Sequence, residues 1–162
     1  MTEAQYTAKN WLMLLCDYEQ KLKAEKRTLE MLQAKLYKGV SSYEAFNGRK
    51  DPETARAAYE DALLSFSEQS ARVEKAQKVY LAELELRREI IEAIPLNLQS
   101  IAIDRYINGI KWDNLERLHG YSKSNLFKLN IDILENVAEV LNAKNTNLEI
   151  IKNKRAKKAA TV

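Results

Sequence analysis

Stepping alternately by three and four residues from Ala8 meets Ala8, Trp11, Leu15, Tyr18, Leu22, Glu25, Leu29, Leu32 and Leu36, a run in which only Glu25 is polar. A 3.5-residue period sustained over that length marks a helix whose narrow apolar seam lies along another helix. Gly39 predicts its end, in the left-handed conformation that closes many helices. A second helix is announced by Asp51-Pro52, an N-cap acceptor followed by the residue best tolerated at a first helical position. Its stripe runs Tyr59, Leu63, Phe66, Ser70, Val73, Gln77, Tyr80, Leu84, Arg87, Ile91 and Ile94, and Pro95 then interrupts the backbone hydrogen bonding. Helices of about 35 and 40 residues would be roughly 50–60 Å long, and seams of that length must be buried against something. Residues 1–94 are therefore expected to form a long antiparallel helical hairpin, a coiled coil closed by the loop from Gly39 to Lys50. Two hairpins pairing as a four-helix homodimer would satisfy the same seams. Polar residues within the stripes (Glu25, Ser70, Gln77, Arg87) are of the kind that sets register. In the loop, Tyr43 and Phe46 either fold back over the hairpin tip or meet a partner.

Composition extends the helical reading to the whole chain. Four glycines and two prolines among 162 residues are too few for the frequent turns of a sandwich, a barrel or a doubly wound sheet, so the fold class is all-α. One His (His119) and one Cys (Cys16) supply no zinc site, no Cys/His nucleophile with a spare base and no disulfide. No two glycines lie close enough for a phosphate-cradling loop. These counts point away from an enzyme and from any metal or cofactor. The first residues lack a basic leader segment, and the longest apolar run, Trp11 to Cys16, is too short to span a bilayer. The expected setting is the cytoplasm, without a membrane partner, which a lone cysteine also fits.

After Pro95 the pattern shortens. Residues 96–108 carry Leu96, Leu98, Ile101, Ala102, Ile103, Tyr106 and Ile107 and stop at Gly109. Trp112 to His119 forms a second short helix with Trp112, Leu115 and Leu118 expected on its inner side. Gly120-Tyr121 makes a turn, Ser122 caps the next helix, and Leu126, Leu129, Ile133, Val137, Val140 and Leu141 give that helix its apolar face. A short helix, a glycine turn and a capped longer helix are the layout of a helix-turn-helix, here a small domain over 95–143. Residues 144–162 are expected to add a short helix and a basic tail.

The segments Arg105-Tyr106-Ile107-Asn108-Gly109, Trp112, Leu118-His119-Gly120-Tyr121-Ser122 and Leu126-Phe127-Lys128-Leu129 resemble the sigma-70 region-4-like domain of phage and prophage regulators of the ArpU and RinA kind. The hairpin resembles the helical region that precedes this domain in those proteins. The chain departs from the pattern at Lys111, where Ser or Thr usually caps the helix, at Glu116, where the helices cross and Ala is common, and at His119, where an apolar residue is usual. The resemblance implies a transcriptional regulator of late or packaging genes, with the hairpin serving dimerisation or contact with host RNA polymerase.

If the third helix of the domain lies in a major groove, its first turns face the bases. Lys123, Ser124, Asn125, Phe127 and Lys128 are the candidates, with Asn130 further along. Asn can pair with adenine N6 and N7, Lys can donate to guanine, and an aromatic can touch a thymine methyl. Lys111, Tyr121 and Ser122 would lie near phosphates, where contacts fix register without reading sequence. The domain itself carries five Lys/Arg against six Asp/Glu, and the cations of the tail (Lys152, Lys154, Arg155, Lys157, Lys158) supply what a phosphate-tracking arm needs. Two functions follow as expectations. One is a sequence-specific regulator that binds double-stranded DNA; the other is a non-enzymatic coiled-coil adaptor that binds a protein such as RNA polymerase without reading DNA.

Overall fold

The structure, a computed structural model, describes residues 1–45 and 52–143, with side chains over 1–38 and 53–143. Expectations for Asp51, Phe46, the Tyr43 side chain and the tail from 144 onward lie outside the described residues. Within them the chain is all-helical, with no strand. Helix α1 spans Glu3–Ala45, α2 spans Pro52–Glu92, α3 spans Leu96–Ala102 and runs into a wider π turn over Ile103–Ile107, α4 spans Trp112–His119, and α5 spans Lys123–Ala143. No described helix is long and apolar enough to cross a membrane, and no described group of three or more His, Cys, Asp or Glu is placed to hold a metal.

Helix α1 opens on a reciprocal cap that the apolar stripe gave no reason to seek. The Gln5 side chain accepts from the Thr2 N–H at 2.9 Å while the Gln5 N–H donates to the Thr2 hydroxyl at 3.3 Å. The helix does not stop at Gly39 but continues to Ala45. A glycine inside a helix costs only about 1 kcal/mol relative to alanine, so it permits a stop without imposing one.

The chain divides into two units. In the unit Tyr18–Leu81, the α1 seam follows the expected spacing: Leu22 is buried and Tyr18, Glu25, Leu29, Leu32 and Leu36 are half-buried. The α2 seam is phased differently. Its inward positions are Ala62, Phe66, Gln69, Val73, Ala76 and Tyr80, whereas Tyr59, Leu63 and Gln77 are exposed and Ser70 is half-buried. Both phasings share Phe66, Val73 and Tyr80 and both repeat every 3.5 residues, so counting large apolar residues favoured the wrong one. Alanines admit a close approach that Leu63 and Tyr59 do not. Gln69 enters the seam because it can be satisfied there: its amide donates to the Glu25 carbonyl oxygen at 3.0 Å and also to the Glu25 carboxylate.

The other unit joins Met1–Asp17 to the chain from Ala82 onward and holds the core. Ala8, Trp11 and Leu12 from α1, Ile90, Ile91 and Ile94 around the end of α2, Leu98, Ile101, Ala102 and Tyr106, Leu115 from α4, and Leu126, Ile133, Leu134, Val137, Ala138 and Leu141 from α5 form one buried cluster. Arg87 is buried with them, only 1% exposed. Its guanidinium lies 4.4 Å from the Trp11 ring centroid, donates to the Trp11 carbonyl oxygen at 2.7 Å and pairs with Glu83 at 2.6 Å. A desolvated cation persists only with such a set of partners. Before Pro95 the carbonyls at the end of α2 and just past it are not abandoned, since the Gln99 amide donates to those of Glu92 (3.0 Å) and Ile94 (2.9 Å).

The π turn replaces the expected regular helix up to Asn108. The Asn108 N–H reaches back to the Ile103 carbonyl at 2.9 Å, and the Ile110 N–H to that of Asp104 at 2.9 Å, across Gly109 at φ 69°. Asp104 also accepts from the Asn108 amide (2.9 Å) and meets His119 Nε2 at 2.8 Å, tying the turn to the end of α4. This bond explains a second correction. His119 takes the inward position at the C-terminus of α4, and Leu118, expected on the inner side, is 60% exposed. Only Leu115 of α4 is fully buried, and Trp112 is half-buried.

Candidate nucleic-acid interface

Helix α4, the turn at Gly120 and the first turns of α5 bring the candidate residues to one end of the domain. Gly120 sits in the left-handed region (φ 70°, ψ 18°), where a side chain would be strained, and its N–H closes α4 on the Glu116 carbonyl at 3.0 Å. The chain then enters α5 through Ser122, whose hydroxyl accepts from the Asn125 N–H at 3.3 Å and whose carbonyl accepts from the Leu126 N–H at 2.9 Å. Glu116, the unusual residue at the crossing, adds a second cap: its carboxylate accepts from the Lys123 N–H at 2.6 Å. A carboxylate at a helix N-terminus is favoured by the exposed N–H groups and the helix dipole.

Of the candidates named from sequence, Lys111, Tyr121, Ser122, Lys123, Ser124, Asn125, Phe127 and Lys128 are all exposed. Asn130 is half-buried on the other side of α5, where its side-chain oxygen accepts from the Tyr106 hydroxyl at 2.7 Å. Burial raises Tyr106 to a pKa of about 12, against smaller opposing effects of the Arg105 charge and the Asn130 hydrogen bond. Lys123 is also engaged, its ammonium bonding the Asp113 carboxylate on α4 at 2.8 Å. That hydrogen bond, with the charge behind it, holds Asp113 below its ordinary pKa and Lys123 above its own.

Three residues that sequence reasoning did not assign to the site shape it. Arg105 stacks over Trp112 at 4.8 Å to the ring centroid and donates to the Ile110 carbonyl oxygen at 3.1 Å. Trp112 in turn meets Phe127 edge-on, with ring centroids 5.1 Å apart and planes at 67°. Ile131 lies one turn beyond Phe127 and is 42% exposed, an apolar side chain on the outer face of α5. The spacing of Phe127 and Ile131 in the sequence carried this signal, masked by the stronger inner stripe four residues apart at Leu129 and Ile133. Comparison of the chain with family models, characterised proteins and solved structures gives no match.

Proposed function

We propose that this chain is a sequence-specific double-stranded DNA-binding regulator in which α4, the Gly120 turn and α5 act as a helix-turn-helix and α5 is the reading helix. The observation that carries this reading is the two-sidedness of the first turns of α5. Leu126 is fully buried and Asn130 is bonded inward, while Ser124, Asn125, Phe127 and Lys128 stand outward together with Tyr121 and Ser122. Such a face offers donors, acceptors and an apolar surface to base edges. Lys111 and the tail cations are assigned to phosphates, with the tail supplying the positive charge the domain lacks. The reading includes an antiparallel α1–α2 hairpin used for homodimerisation or for contact with host RNA polymerase, and a phage or prophage origin, on the resemblance of the 105–129 segments.

Selection of random duplex DNA on the purified protein at about 150 mM salt tests this. One enriched motif is the expected result, and its symmetry and half-site spacing would report the oligomer. The adaptor reading has its own observation in favour: the near-neutral charge of 95–143 with Lys123 already paired to Asp113. It predicts no enrichment from a folded protein.

A further inference from the structure

Phe127 is 44% exposed, yet it is not loose. Its ring meets that of Trp112 in an edge-on contact, and Trp112 packs on the buried cluster and is covered in turn by the Arg105 guanidinium. Arg105 is itself fixed by the Ile110 carbonyl, next to the π turn. The three side chains form a stack that starts in the domain and ends at its surface. At 100° per residue, Ser124, Phe127, Lys128 and Ile131 lie within about 60° of one outward direction on α5, with Lys123 and Asn125 roughly 100° from Ser124 on either side. The apolar pair Phe127 and Ile131 thus lies to one side of Ser124 and Lys128 to the other, and of these Phe127 is the one whose ring is held from beneath by Trp112.

We propose, resting on the DNA-binding reading above, that Phe127 is the residue that sets specificity by packing on the 5-methyl group of a thymine, and that Trp112 and Arg105 are positioning residues that hold its ring. In the major groove the thymine methyl is the one apolar feature a base pair presents. A ring already immobilised on one side gives up less conformational freedom on binding than a free one, so more of the contact survives as affinity. Ile131, one turn on, extends the apolar strip along the groove.

The test replaces thymine by uracil, one position at a time, in the duplex recovered by selection, which removes a methyl and leaves every hydrogen-bonding group. The unaltered protein should lose about fourfold in affinity at one or two positions, the worth of one buried methyl-sized group. Phe127→Ala should bind the thymine duplex more weakly and show no further loss with uracil at those positions. Trp112→Leu should reduce the thymine-to-uracil ratio and Trp112→Phe should restore it, a pattern that a general loss of stability would not give. Arg105→Lys, which keeps the charge and gives up the planar stack, should also reduce the ratio. A recovered motif with no uracil sensitivity, or the same sensitivity in Phe127→Ala, overturns the inference and leaves DNA reading intact. Failure to recover any motif overturns both.

Discussion

The unit Tyr18–Leu81 and the unit built around α3 to α5 are made of the same residue types, but they bury them differently. Between Tyr18 and Leu81 only Leu22 and Gln69 are buried among the described side chains, neither of them fully, and the rest of the seam is half-exposed. Around α5, side chains from five helices converge on one buried cluster. A two-helix seam has one layer of contacts and no third side, whereas a core closes around each residue. Stability per residue is therefore low and evenly spread along the seam, and concentrated in a few positions of the core.

That contrast is sharpest at Leu115, the fully buried residue of α4. Leu115→Ala should cost about 3 kcal/mol, the usual toll of a buried leucine whose cavity cannot collapse. Both tryptophans, Trp11 and Trp112, belong to the core unit, so denaturant unfolding followed by their fluorescence reads it directly. A loss below about 1 kcal/mol would mean that α4 is held by its polar ties and not by the core. Alkaline titration probes the same cluster from another side. Because the folded state keeps the Tyr106 proton up to about pH 12, while the unfolded chain releases it near 10, stability should be unaffected below pH 10. It should then fall as pH rises to 12, by up to about 3 kcal/mol. Tyr106→Phe should remove most of that decline, and an unchanged alkaline profile would show that Tyr106 is not the group responsible.

How far these features could be read in the sequence varied with the kind of interaction. The scarcity of glycine and proline gave the class, and local signals gave the starts of α2 and α4, the stop before Pro95 and the Ser122 cap, because each depends on residues close in the chain. The α2 phasing was missed because two 3.5-residue stripes share Phe66, Val73 and Tyr80, and only the partner helix decides between them. The π turn was missed for a similar reason: what holds it is Asp104 meeting Asn108, Ile110 and His119, a set that no local pattern announces. In the candidate site, Lys123, Ser124, Asn125, Phe127 and Lys128 were legible as the exposed face of a capped helix, with Ser122, Tyr121 and Lys111 exposed just ahead of it or of α4. The inward bond of Asn130, the clamp on Lys123 and the stack beneath Phe127 depended on which side chains of α4 and the π turn stand opposite α5.

On the seam side of the comparison the effects should be smaller. Gln69→Ala removes a buried amide from the Glu25 carbonyl and carboxylate. The Glu25 carbonyl also takes part in its own helix and its carboxylate can turn to water, so the expected cost is about 1 kcal/mol. Far-ultraviolet circular dichroism, which reports both long helices, should show it while tryptophan fluorescence changes little. A cost as large as that of Leu115→Ala would abolish the distinction between seam and core.

The smallest structural effect should come from Asp113→Asn, and it separates stability from binding. Asp113 and Lys123 are both exposed, and a pair of that kind contributes little to folding because water screens it. The thermal midpoint should not move. On the proposed DNA-binding reading, however, in a domain with more carboxylates than cations, losing Asp113 removes a negative charge from the face and frees the Lys123 ammonium for a phosphate. Binding to duplex of any sequence should tighten, and the slope of log affinity against log salt should steepen by about one unit, the signature of one added phosphate contact. The thymine-to-uracil ratio should stay where it is, since Phe127 rests on Trp112 and not on Lys123. A steeper salt slope with an unchanged ratio would locate charge and base reading on different side chains of the same helix. An unchanged slope would show that Lys123, once freed from Asp113, reaches no phosphate.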